Sequence, residues 1–134
     1  MRIKFLICAF ATVLGVGFSA AGTAADMYVI ANDTLHMTPA ELREVFLGER
    51  QFASGRRLVP VDNAAIQKEF VNRVVGIDAA KYGTVWAKKG FREGLNPPSV
   101  MPGDQEVIAT VRATPGAIGY VSHLAPGVHL VDKY

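Results

Sequence analysis

The stretch Arg112-Ala113-Thr114-Pro115-Gly116-Ala117-Ile118-Gly119-Tyr120-Val121 decides how this chain folds. Val107, Ile108 and Val111 recur at helical spacing just before it, so the sequence predicts a helix closed by Pro115 and Gly116 that hands over to a short apolar strand. Within that strand Ala117, Gly119 and Val121 alternate with Ile118 and Tyr120, and neither set is charged. A strand with two dry faces belongs in a sheet covered by helices on both sides, because a one-sided antiparallel sheet shows a wet face. Gly119 marks a close approach by another backbone or helix. The prediction is an α/β fold with a small, mostly parallel sheet flanked by helices.

The amino-terminal residues stand apart from that fold. Arg2 and Lys4, the apolar run from Phe5 to Phe18 and the small residues Gly22-Thr23-Ala24 form the pattern of a signal peptide over residues 1–25. The run contains Gly15 and Gly17 and is shorter than the roughly 20 residues a span needs, so a cleaved leader is preferred to a membrane anchor. Residues 26–134 are then expected as one periplasmic or secreted domain with no stable membrane span after cleavage. Cys8, the single cysteine, falls in the leader, which removes disulfides, thiolate catalysis and cysteine-based metal sites. Beyond the leader, 12 Lys and Arg face 12 Asp and Glu. A nucleic-acid or anionic-membrane binder needs a clustered basic excess, and none is present.

In chain order, Asp26 to Ala31 reads as a central strand, apolar on both faces, followed by the polar loop Asn32-Asp33-Thr34 at its carboxyl end. Ligands of open α/β sheets tend to lie at such ends, which makes Asn32 a candidate hydrogen-bond donor, although a plain turn residue is the preferred reading. Thr38-Pro39-Ala40-Glu41 starts a helix by side-chain capping, and Leu42, Val45 and Phe46 give it a buried stripe that Gly48 ends. Phe52 and Leu58 flank an expected hairpin turning at Ser54-Gly55, in which Arg56 and Arg57 are read as solvated. Leu58 to Val61 is a second strand limited by Pro60. Asp62 and Asn63 are expected to cap a helix that buries Ile66, Phe70, Val71, Val74 and Val75. The amides of its first turn, at Ala64 and Ala65, read either as an anion site or as an ordinary capped helix start. Asp78 caps a third helix with Tyr82, Val85 and Trp86 inward, and Val128 to Val131 is a last edge strand.

Catalytic patterns are lacking. His36, His123 and His129 have no helical metal-site spacing, and no nucleophile elbow or phosphate loop follows a strand. Ser122 beside His123 is not expected to form a dyad, since neighbouring strand residues point to opposite faces. No enzyme, metal or cofactor is expected.

The order of motifs then carries a resemblance. Glu41-Leu42-Arg43-Glu44-Val45-Phe46-Leu47-Gly48, Val59-Pro60-Val61, Phe70 through Gly76, Tyr82 with Trp86-Ala87-Lys88, Phe91, Gly94 to Pro98 and Pro115 through Val121 together resemble the phosphate ABC transporter substrate-binding protein family. The likeness is to its short branch, equivalent to one lobe of a two-lobed periplasmic binding protein. It implies a single lobe of the type II periplasmic binding protein fold, and phosphate held between lobes by backbone amides, hydroxyls and an Arg. Full-length members carry an Arg-x-Asp-x-Ser-Gly-Thr-like segment where this chain reads Val61-Asp62-Asn63-Ala64-Ala65-Ile66-Gln67, without the Arg, Ser and Thr. The candidate ligand contacts are therefore Asn32, Asp62, Asn63, Ala64 and Ala65. The expected role is an exported solute-binding-like protein for phosphate or another small oxyanion in ABC transport or sensing. The alternative is an envelope interaction module that keeps the fold without the ligand. A pocket needs two walls, so a homodimer or an envelope protein partner is expected to supply the second.

Overall fold

The computed structural model describes residues 25–134; the expected leader, up to residue 24, lies outside the described residues. The chain runs β1 (Tyr28–Ala31), α1 (Pro39–Phe46), β2 (Phe52–Ala53), β3 (Arg56–Arg57), β4 (Val59–Asn63) and α2 (Gln67–Phe70), the last continuing into a π-helical turn at Val71–Val75. It continues with α3 (Ala79–Glu93), β5 (Ser99–Met101), α4 (Asp104–Ala113), β6 (Ala117–Val121) and β7 (His129–Lys133). Five strands form the main sheet in the order β5-β4-β6-β1-β7, and β2 pairs with β3 in a separate hairpin. β4 is parallel to β5 and β6, whereas β1 is antiparallel to both β6 and β7, so four strands share one direction and β1 opposes them.

As the alternation predicts, β6 is in the middle of the sheet and buried along its whole length. Ile118 and Tyr120 join Met27, Val29 and Ala31 on one face, packed by Leu42, Phe46, Phe70, Val75 and Trp86. Ala117 and Val121 join Ile30 and Val61 on the other, beneath Val107, Ile108 and Val111 of α4. Gly119 allows that helix its approach: a Cβ there would come within 2.8 Å of Val107 Cγ1 and 3.4 Å of the Val61 carbonyl oxygen. Gly116 closes the handover from α4 at φ +82°, where a side chain would also collide with the Arg57 carbonyl.

Local chemistry sets the other boundaries. The Glu41 amide donates to Thr38 Oγ1 at 3.2 Å and Pro39 occupies the first turn of α1. The Lys81 amide donates to Asp78 Oδ1 at 2.7 Å to start α3. Trp86 of α3 reaches back to α1, its Nε1–H donating to the Phe46 carbonyl at 3.0 Å. Pro60 lies inside β4 at no cost to the ladder. The Val59 amide points to β6, bonding Gly116 O at 2.9 Å, so the nitrogen of Pro60 points the other way, where β5 pairing begins only at Val61.

One boundary differs from expectation. Asp62 and Asn63 are the last residues of β4 and do not cap a helix; a turn follows at residues 64–66, and α2 begins at Gln67. Strand pairing prevails here because Asp62 and Asn63 lie opposite Val100 and Met101 of β5. Among the described residues, no helix is long and apolar enough to cross a membrane.

Candidate functional site

β4, β5 and β6 end together, and the residues at those ends form one polar cluster. Asn63, fully buried, donates from Nδ2 to Asp104 Oδ1 at 2.8 Å and to the Tyr120 carbonyl at 3.1 Å, while its Oδ1 accepts the Ala65 amide at 3.1 Å. The Ala64 amide donates to the Met101 carbonyl at 2.8 Å. Both amides expected to face an anion are thus engaged inside the chain.

Asp104, the first residue of α4, collects the donors beyond the end of β6. Ser122 gives its amide at 3.1 Å to each carboxylate oxygen and its hydroxyl to Oδ2 at 2.7 Å. The His123 amide adds a bond to Oδ2 at 3.1 Å. The carboxyl is 20% exposed. Partial burial works to raise its pKa, yet the bonds from Ser122, Asn63 and His123 outweigh that and hold it below the ordinary carboxylate value.

Asp62 occupies the opposite electrostatic situation. It is 1% exposed and accepts from Tyr120 Oη at 2.9 Å, Tyr82 Oη at 3.0 Å and Gln67 Nε2 at 3.2 Å. Burial raises its pKa, and the hydrogen bonds from Tyr120, Tyr82 and Gln67 only partly offset this. Burial and the Asp62 charge push both tyrosine hydroxyls upward in turn. Asp62 also contributes to the wall of a groove of about 690 Å³, whose other lining includes Tyr82, Trp86, Phe91, Pro98 and Val100. Phe91 is 93% exposed at this groove.

Asn32 does not join the cluster. Because β1 runs against β6, the carboxyl end of β1 lies at the start of β6, where the Asn32 amide bonds the Ala117 carbonyl at 3.0 Å. The length of β6, about 13 Å at the usual strand rise, separates it from Asn63. Its Nδ2 donates to the carbonyls of Val111 at 2.9 Å and Arg112 at 3.1 Å, tying down the last turn of α4. Asn32 and residues 62–65, expected to share one site, are therefore held at opposite ends of β6, because β1 runs against that strand. The alternation argument for Ser122 and His123 is corrected too. β6 stops at Val121, and Ser122 Oγ lies 3.1 Å from His123 Nδ1. The Ser122 proton is directed to Asp104, so this contact does not make a nucleophile activated by an imidazole base.

Ser122, Asp104, Tyr82 and Tyr120 were not legible as partners in a site. The only signal was Asp104 opening a helix that returns to β6, which in a parallel unit puts that helix start over the strand ends. Among the described residues, no group of three or more His, Cys, Asp or Glu is placed to hold a metal ion.

The architecture recurs in solved structures. A protein described as a phosphate ABC transporter substrate-binding protein with bound phosphate, from Clostridium perfringens, matches at 16% identity and a TM-score of 0.58, over 80% of this chain and 45% of that one. PstS from Borrelia burgdorferi matches at 15% identity and a TM-score of 0.53, over 80% and 47%. An ABC-type phosphate transport receptor from Vibrio cholerae matches at 12% identity and a TM-score of 0.52, over 80% and 46%. The chain spans about half the length of these receptors, and its fold is that of a single lobe of a PstS-like periplasmic binding protein. No protein-family profile and no curated protein matches the chain.

Proposed function

We propose that this chain is an exported, non-enzymatic, solute-binding-like lobe that presents the carboxyl ends of β4 and β6 to a small oxyanion, with phosphate the first candidate, in an ABC transport or sensing system of the periplasm. The observation that carries this reading is the half-receptor fold, shared with two proteins whose descriptions name phosphate. Within the reading, Asp62, Asn63, Ala64 and Ala65 shape the ligand end, chiefly as its scaffold, since their polar groups already have partners. One lobe supplies one wall, so a bound anion stays open to water and salt. A second copy of the chain or an envelope partner supplies the other wall.

Calorimetric titration of the purified protein with phosphate and sulfate tests this. Binding weaker than about 1 mM, worth less than about 4 kcal/mol, is expected for the lone lobe. Micromolar binding by a strict monomer in light scattering would overturn the missing-wall part. A second reading, an envelope interaction module that has kept the fold without the ligand, is favoured by the saturated donors at residues 63–65 and by the bare Phe91 at the apolar groove. Absence of any heat at tens of millimolar phosphate or sulfate, with or without dimer, would select it.

A further inference from the structure

The carboxylate of Asp104 is surrounded in the way a receptor surrounds an anion. Two consecutive backbone amides, Ser122 and His123, a hydroxyl and the Asn63 carboxamide converge on its two oxygens at 2.7–3.1 Å. These donors come from two separate parts of the chain, the end of β4 and the turn after β6, and meet the acceptor at the start of α4. Successive amides that point to one spot form an anion-binding concavity whichever molecule supplies the anion. His123, with its side chain 89% exposed, adds Nδ1 at 3.4 Å from Asp104 Oδ2. Ser122 further lines a cleft of about 280 Å³ together with Asp26, Ile66, Glu69 and Arg73.

We propose that Asp104 is a tethered occupant of an oxyanion seat formed by the Ser122 and His123 amides, the Ser122 hydroxyl and Asn63 Nδ2, and that the seat takes a free carboxylate or phosphate once the Asp104 side chain is withdrawn. The chain thus carries its own competitor for the class of ligand its fold neighbours are described as receiving. This rests on placing the ligand end at the carboxyl ends of β4 and β6. An unpaired donor set in a partly buried place is costly, so an empty seat recruits an anion from solution. A tethered carboxylate has in addition the advantage of high effective concentration over any free one.

The test is rescue of Asp104→Ala by sodium formate, which replaces the missing carboxylate, with sodium phosphate in parallel and chloride holding ionic strength constant. Melting of the wild-type protein is expected to be indifferent to formate. Asp104→Ala is expected to melt lower in chloride and to recover in formate, by about 5 °C for each tenfold rise above the dissociation constant. Asp104→Asn, which still fills the seat, is expected to show no formate response. An Asp104→Ala protein that melts identically in chloride, formate and phosphate would overturn the proposal. Should the alanine variant be unfolded in chloride, folding induced by formate in circular dichroism supports the seat. If formate does not fold it, Asp104→Ser decides by the same melts, and its indifference also overturns the proposal. Tight wild-type binding of phosphate with no rescue would sink the tethered occupant and spare the receptor reading; a silent wild type with rescue would do the reverse.

Discussion

Asp62 and Asp104 are two carboxylates near the same strand ends that the fold treats in opposite ways. Asp104 gains amide, hydroxyl and carboxamide donors while still touching water, so its ionised form is the favoured one. Its contribution to stability is present above the unfolded carboxyl value of 3.8 and is lost as pH falls through its lower folded value. Asp62 is sealed behind Tyr82 and Tyr120, and burial disfavours its ionised form relative to the unfolded chain, which raises its pKa although the hydrogen bonds it accepts oppose the shift. Stability is therefore withdrawn by Asp62 as pH climbs from 3.8 through its raised folded value. Asp62→Asn, which removes the titration and nearly keeps the shape, is expected to abolish that loss. Urea denaturation of both proteins across the acid range checks it: the variant should gain on the wild type as pH rises, and parallel curves would show that Asp62 carries no such penalty. Little of this was readable in advance, since both residues looked like ordinary cap or turn carboxylates. Tyr82 and Tyr120 lie 20 and 58 residues from Asp62, and Ser122 and Asn63 lie 18 and 41 residues from Asp104, along the chain.

Among the elements, α4 is the one most firmly located. Asn63 and Ser122 hold Asp104 at its first residue, Asn32 holds its last carbonyls, and Gly119 lets its middle settle on β6. Gly119→Ala inserts a methyl where Val107 stands 2.8 Å away, so a loss of about 1–3 kcal/mol is expected from chemical denaturation. An unchanged midpoint would mean that α4 can shift outward freely. This contact was legible from sequence, because an uncharged five-residue strand containing a glycine needs a close neighbour on each face. The caps at Thr38 and Asp78 and the hairpin at Ser54-Gly55 were legible for the same reason: each depends on residues a few positions apart. The direction of β1 was not, since its apolar alternation fits either orientation and only pairing with β6 and β7 decides it. The role of Asn63 was missed on similar grounds. Asn after a strand suggests a cap, whereas the Tyr120 carbonyl and Asp104 that engage it arrive from much later in the chain.

At the scale of the molecule, the reversed β1 between β6 and β7 puts the first and last described strands side by side. The Met27 amide donates to the Tyr134 carbonyl and the Tyr134 amide to the Met27 carbonyl, each at 2.8 Å. A reciprocal pair of this kind leaves the two α-carbons about 5.5 Å apart. The described residues from Met27 to Tyr134 thus return on themselves, and in a protein prepared from residues 26–134 a linker of a few glycines from Tyr134 to Asp26 would complete a ring. Opening such a ring at Ser54-Gly55, in the exposed turn joining β2 to β3, is expected to give a circular permutant that retains the far-ultraviolet spectrum and cooperative melting. A permutant that melts without cooperativity would show that the order of assembly, and not the finished pairing alone, depends on beginning at β1.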